Sequence, residues 1–168
     1  MNRITAENVA AAIRKVKSMS LPQKEELAEE IHRDQPHLLA SCVVQPKLGA
    51  HINDVEFLLN ILLVCYQAMK ESGLRWPMIT EDEQQRQMQR WIGALDFSEH
   101  AQSNGASDST RQQYVDQYPE RPLLAFVVNE TNQWLRGSSR RNGKAESDKF
   151  VMMASMNLVN CIASAPLS

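Results

Sequence analysis

The sequence is poor in the residues that bend or break a chain, with only six glycines and seven prolines in 168 residues. Folds made of many short strands depend on such residues at their turns, so their scarcity argues against a β-sandwich or barrel. Glycine-rich phosphate-binding loops are also missing, which excludes the common nucleotide-enzyme motifs. Methionine, leucine, alanine and glutamine are plentiful instead, and these residues favour helices.

Cysteine is equally scarce, and its spacing excludes a disulfide scaffold. Cys42, Cys65 and Cys161 are an odd number, lie far apart and stand in apolar segments. This pattern predicts reduced, buried thiols in a cytoplasmic protein. The N-terminal segment contains no apolar run, so we expect no secretory signal.

Charge is balanced overall, with a net charge of −2, but unevenly distributed. Residues 80–120 carry 3 basic and 8 acidic side chains, whereas residues 121–149 carry 6 basic and 3 acidic. Residues 150–168 carry no charged side chain. The chain therefore lacks the general basic footprint of a nucleic-acid-binding protein.

The hydrophobic periodicity predicts an all-α fold, a bundle of seven or eight helices in a single domain over residues 1–168. Thr5 and Ser20 precede the first two helices as N-caps, and Ser20 forms an S-x-x-Q capping box with Gln23. We expect Leu21, Leu27, Ala28 and Ile31 to face inward on the second helix. A third helix starts at Pro36, buries Leu38, Leu39, Cys42 and Val43, and ends at Pro46 and Gly49.

Two apolar helices form the expected centre of the bundle. Residues 54–71, which begin with an Asn53/Glu56 cap signal, are apolar around most of the helix circumference. The second of these helices covers residues 148–164, and the chain carries no charged side chain from residue 150 onward. The serines and asparagines of this helix favour a buried position over a membrane span. We expect no membrane association.

A helix over residues 81–97 and a polar linker over residues 98–110 join the two halves of the chain. The first two turns of this helix read EDEQQRQ. We expect this polar start to project into water and the C-terminal half to dock on the bundle. The side chains expected to dock are Met88, Trp91, Ile92, Leu95 and Phe97.

The two halves show a hint of internal duplication. Residues 20–79 and 107–168 each contain, in the same order, a short helix, a proline-led apolar helix and a long apolar helix. The alignment requires single-residue gaps. Two similar helical halves sharing one core is therefore a hypothesis, and chance similarity of amphipathic helices is its alternative.

Catalytic and metal-binding motifs give no support to an enzyme. Glu29 and His32 form a single E-x-x-H unit, whereas di-iron bundles use two such units. Cys42 has no C-x-x-C partner, as structural zinc sites usually require. We therefore expect no metal and no cofactor. A Ser-His or Cys-His pair assembled only by folding leaves an enzyme with an unsignalled site as the third hypothesis.

We therefore expect a small non-enzymatic helical protein, an adaptor or regulator that binds another protein. A homo-oligomer is a further alternative, because the acidic helix over residues 80–99 and the basic segment over residues 121–149 have complementary charges that could also pair between subunits or within the fold. The competing hypothesis is a nucleic-acid-associated regulator that uses a basic loop at residues 136–144. The candidate partner-binding residues combine the acidic helix start with that loop: Glu81, Asp82, Glu83, Arg136, Arg140, Arg141 and Lys144.

Overall fold

A computed structural model describes residues 2–102, 107–138 and 145–167 of the chain. Over these ranges the chain forms nine α-helices and no strand, which confirms the predicted all-α fold. The helices are α1 (Ala6–Ser18), α2 (Leu21–Asp34), α3 (Pro36–Val43), α4 (Gln45–Leu48), α5 (Ile52–Glu71), α6 (Glu81–Gln102), α7 (Ser107–Gln117), α8 (Arg121–Ser138) and α9 (Ala145–Ser164).

The first two helices begin where their caps predict. The Thr5 side chain accepts a hydrogen bond from the backbone N–H of Asn8, and Ser20 and Gln23 form the predicted capping box. Leu27 and Ile31 are buried as expected. Leu21 is 70% exposed, so its inward assignment was wrong. The buried side chains of α2 are Leu27 and Ile31, whereas its first turn is exposed.

The third predicted helix is divided in two. Leu38 and Cys42 are buried as predicted, whereas Val43, at the last residue of α3, is 53% exposed. Pro46 does not end this region, because it stands in the first turn of α4, where proline is tolerated. Gly49 then ends α4 with a φ of 116°, in the left-handed region that favours glycine.

The helix α5 is the central element of the core. It begins at Ile52 and is capped by His51, so the Asn53 cap prediction was wrong by two residues. Leu58 and Leu62 are fully buried, whereas Leu59 is only partly buried. In the described part of the chain α5 alone has the length and composition to cross a membrane, and 67% of that stretch is buried inside the fold. Burial accounts for its apolar composition.

The helix α6 docks nearer its N-terminus than expected, although Glu81 and Asp82 at its start are exposed as predicted. Its polar N-terminal half docks on α9, where Gln87 is buried and the Gln84 carbonyl accepts a 3.2 Å hydrogen bond from Nδ2 of Asn157. Met88 and Trp91 are partly buried, whereas Ile92 and Leu95 are 41% and 42% exposed, so the prediction that the C-terminal half docks was wrong for these last two residues. The hydrogen bond from Asn157 explains why a polar segment docks on α9, although Nε2 of Gln84 and Oδ1 of Asn157 are buried without a hydrogen-bond partner among the described residues. The side chain of Phe97 lies outside the described residues.

The polar linker predicted for residues 98–110 is helical where it is described. The helix α6 continues to Gln102, and α7 starts at Ser107. The helix α8 spans Arg121–Ser138, and the last helix is longer than the predicted 148–164, at Ala145–Ser164. The internal duplication and the single-domain organisation stay predictions.

Candidate functional site

A cleft of about 560 Å³ opens between α6, α7 and α9. From α6 it receives side chains spaced three and four residues apart, which share one face of a helix. The start of α8 is joined to α7 through Tyr118 and Pro119, which complete one wall. The residues that give the cleft its chemistry are Gln87, Arg90, Trp91, Tyr114, Tyr118 and Asn160.

Three aromatic rings give the cleft apolar walls. Trp91 comes from α6, whereas Tyr114 and Tyr118 come from α7 and the turn that follows it. The two tyrosine rings lie 5.6 Å apart between centroids at a 57° tilt. Burial raises the pKa of both tyrosines above the ordinary value, so both remain uncharged phenols at neutral pH.

Asn160 forms the polar floor of the cleft and is 7% exposed. Its Oδ1 accepts a 2.6 Å hydrogen bond from the hydroxyl of Tyr118. Its backbone carbonyl accepts a 2.5 Å hydrogen bond from the hydroxyl of Ser164. No described residue accepts a hydrogen bond from Nδ2 of Asn160. The floor therefore retains an amide donor that is not used within the fold.

Arg90 carries the one charge in the described lining of the cleft. It is exposed and forms no ion pair within the described ranges. By contrast, the nearby Arg86 is bound to Glu83 at 2.5 Å on the same helix. The described lining of the cleft thus carries one positive charge and no negative charge.

An ion pair between the partly exposed Arg3 and the buried Glu120 joins the N-terminal segment to residues next to the cleft lining. Nε of Arg3 lies 2.6 Å from Glu120, which is fully buried, and the backbone N–H of Ile4 donates to the same carboxylate at 3.0 Å. The Arg3 guanidinium also donates to the carbonyls of Ile162, Ala163 and Ala165 at the end of α9. It lies 4.8 Å from the ring centroid of Trp76. These contacts join the turn after Tyr118 to the α9 wall.

Beyond the cleft, α6 and α7 expose apolar side chains. Leu95 lies one turn after Trp91, and Ile92 lies one turn before Leu95 on the side of α6 that faces away from Arg90, since successive residues of a helix are rotated by about 100°. On α7, Tyr114 is 46% exposed and Val115 is 41% exposed. Every side chain described on α7, from residue 112 to 117, is exposed. Packing against the bundle therefore leaves this part of the α6–α7 pair uncovered.

The residues predicted as contacts from the sequence lie elsewhere. Glu81 and Asp82 are exposed in the first turn of α6, and Glu83 is bound to Arg86 and Gln87. Arg136 is exposed in the last turn of α8 and has a partner. The remaining predicted residues lie outside the described residues: Arg140, Arg141 and Lys144.

The fold brings Ser147, Asp54 and His51 together, but not as a catalytic triad. The Ser147 hydroxyl donates to Oδ2 of Asp54 at 2.6 Å, and Oδ1 of Asp54 accepts a 3.0 Å hydrogen bond from the indole N–H of Trp134. Nδ1 of His51 accepts from the backbone N–H of Asn53. A triad needs its base bonded to the serine hydroxyl, whereas here the hydroxyl binds the carboxylate. The cluster instead fastens the starts of α5 and α9 to α8.

Metal-ligating side chains are dispersed in the described part of the chain. No group of three His, Cys, Asp or Glu side chains there is placed to hold a metal ion. Glu29 and His32 are both exposed. Cys42 is buried, and desolvation raises the pKa of its thiol to about 12, so it stays protonated at neutral pH.

Sequence reasoning missed the cleft because its walls come from helices that are far apart in the chain. The available signal was the aromatic and cationic content of Trp91, Tyr114, Tyr118 and Arg90, which no local motif connects. Comparison with known proteins adds no assignment, since no family model, curated protein or solved structure matches this chain.

Proposed function

We propose that this protein is a non-enzymatic adaptor or regulator that binds a partner protein at the α6–α7–α9 cleft. The observation that carries the proposal is the exposed apolar surface beside the cleft on α6 and α7. Large apolar side chains grouped at one exposed place commonly mark an interaction site. The occupant we propose is an amphipathic segment of the partner, bound in the way that a helix binds a groove.

The position of the exposed side chains favours a protein over a small molecule. A volume of about 560 Å³ would suit a small ligand by size alone. However, Ile92, Leu95 and Val115 are exposed and do not line the cleft. A ligand confined to the cleft would leave these three in water, whereas a partner surface could cover them together with the aromatic walls.

Charge near the cleft does not favour nucleic acid. Arg90 is the single cation in the described cleft lining, whereas binding to a phosphate backbone normally uses several lysines and arginines. The basic segment at residues 136–144 keeps the nucleic-acid hypothesis as the alternative. This alternative predicts that the protein binds generic DNA in a salt-dependent way and that changing both Arg140 and Arg141 to Glu abolishes this binding.

The partner hypothesis is tested by site-specific crosslinking followed by measurement with purified components. A photoreactive amino acid replaces Leu95 in cells of the native host, and the crosslinked protein is identified and then purified. Affinity for that protein is measured for the wild type, for Ile92→Glu and for the matched control Ile52→Glu. Ile52 is also an exposed isoleucine, 65% accessible at the start of α5 and absent from the cleft lining.

We expect Ile92→Glu to weaken binding by at least about tenfold, because a charge would be buried against apolar partner surface. Ile52→Glu should bind like the wild type. If no crosslinked protein binds in purified form, or if the two variants bind alike, the proposed site is wrong.

A further inference from the structure

Resting on the proposed function, we infer that the cleft recognises an acidic side chain, Asp or Glu, placed beside an apolar residue in the partner segment. Two features of the cleft carry this inference independently. One is the set of hydrogen-bonding groups that the fold leaves unused, and the other is its local charge. Both are read from residues on α6 and α9 that face the same space.

The unused groups in the cleft are donors. Asn160 is more than nine-tenths buried, and its carbonyl oxygen is occupied by Tyr118, but its Nδ2 has no acceptor among the described residues. Asn160 lines the cleft, so a ligand that supplies an acceptor to this Nδ2 gains a hydrogen bond that no described residue makes. Gln87 contributes less, since its Nε2 already donates to Glu83 at 2.7 Å.

Arg90 adds the charge that distinguishes a carboxylate from a neutral acceptor. Its guanidinium is planar, offers several N–H groups and matches a carboxylate in a paired geometry. No acidic side chain lines the cleft, and the tyrosine hydroxyls are uncharged, so nothing in the described lining competes for Arg90. An acidic group from the partner would therefore meet a free cation and a free amide donor.

The aromatic walls determine what lies next to the acid. Trp91, Tyr114 and Tyr118 present ring surface that is best covered by an aliphatic or aromatic side chain. A phosphorylated residue is disfavoured, because recognition of phosphate groups usually uses clusters of arginines and this cleft has one. A C-terminal carboxylate shares the same chemistry and is separated from an acidic side chain by the experiment below.

Selection from a displayed random-peptide library tests the inference without knowledge of the partner. The immobilised full-length protein is used as wild type, as Arg90→Gln, as Arg90→Glu and as the control Arg14→Gln. Arg14 is an exposed arginine on α1, away from the cleft, so its substitution removes the same charge. Peptides are displayed with a blocked C-terminus in one arm and a free C-terminus in the other.

We expect wild type and Arg14→Gln to enrich peptides with Asp or Glu beside an apolar residue in the blocked arm. Arg90→Gln should lose this enrichment and bind the selected peptides about tenfold more weakly, whereas Arg90→Glu should enrich lysine or arginine instead. Circular dichroism of each variant verifies that the helices are retained.

The two proposals fail in different ways. The acidic-residue inference is wrong if the selected peptides need Ile92 for binding but contain no Asp or Glu. It is also wrong if the same peptides are enriched by the wild type and by the Arg90 variants. Either result leaves the docking site intact. Enrichment confined to the free C-terminal arm assigns a terminal carboxylate and overturns the side-chain inference. If no selected peptide depends on Ile92 or Arg90, the docking site itself is wrong.

Discussion

At the scale of single residues, the Arg3–Glu120 ion pair connects the N-terminal segment to the turn before α8 and to the end of α9. Glu120 is fully buried and receives hydrogen bonds from the Arg3 side chain and from the backbone of Ile4. Removing one member of a buried pair leaves the other without compensation, which costs far more than losing a surface pair. Arg3 also donates to the carbonyl of Ala163, which lines the cleft, so loss of the pair should affect stability and binding together.

Glu120→Gln should lower the free energy of unfolding by about 2–4 kcal/mol, somewhat below the range for fully buried pairs because Arg3 is partly exposed. Urea denaturation measures the change. The control is Glu7→Gln, an exposed carboxylate in the first turn of α1, for which we expect about 0.5 kcal/mol or less. Equal effects of the two substitutions would show that the pair contributes no more than a surface charge.

Two leucines on α5 separate buried from half-buried positions. Leu62 is 1% exposed, and Leu62→Ala should cost about 2–5 kcal/mol because it removes buried methyl groups and leaves a cavity. Leu59 is only partly buried, so Leu59→Ala should cost about half as much or less. Denaturant unfolding of both variants measures the difference. A loss below about 0.5 kcal/mol at Leu62 would contradict the central position of α5.

At the scale of elements, α6 is held by polar contacts where apolar ones were expected. Its N-terminal half meets α9 through Gln84, Gln87 and Asn157, while its apolar C-terminal half stays accessible. Hydrogen bonds between neutral groups add only about 0.5–1.5 kcal/mol each. A helix docked in this way is less firmly held than α5.

The exposed half of α6 should therefore tolerate a charge. Ile92→Glu is expected to change the free energy of unfolding by no more than about 0.5 kcal/mol, as for surface positions in general. Ile61→Glu on α5 is the opposite case, because Ile61 is 2% exposed and a charge there would be buried. Thermal melts of the two variants decide the matter. A large loss in Ile92→Glu would mean that this face of α6 is packed.

At the scale of the whole molecule, the three thiols report on global opening. Cys42, Cys65 and Cys161 are all free and buried, and desolvation raises the pKa of each thiol, to about 12 for Cys42 and Cys161. A thiol reacts as the thiolate, which is scarce at neutral pH under these conditions. Reactivity should therefore require unfolding.

Labelling with an aromatic disulfide reagent at neutral pH should modify none of the three cysteines in the native protein and all three in denaturant. Labelling of the native protein should become faster only at high pH, because the raised pKa keeps each thiol protonated until the pH approaches the shifted value. Since Leu62→Ala lowers stability, it should accelerate labelling under native conditions. Rapid modification of the native wild type would contradict the burial of these residues.

The sequence alone determined the features that depend on neighbours a few residues away. Thr5 and Ser20 start their helices because each side chain bonds a backbone N–H three residues on. The apolar circumference of α5 likewise identified the core helix. Local signals were less reliable at Asn53 and Pro46, where neighbouring residues offered a competing cap or a tolerated first-turn position.

Only the tertiary structure decided how the elements meet. The burial of Glu120 depends on Arg3, which lies 117 residues away, and the docking of α6 depends on an asparagine 73 residues further along the chain. The cleft unites Arg90 with Asn160 through the same long-range packing. Such contacts leave no periodic signal, because their energy comes from pairing polar groups across space once water is excluded.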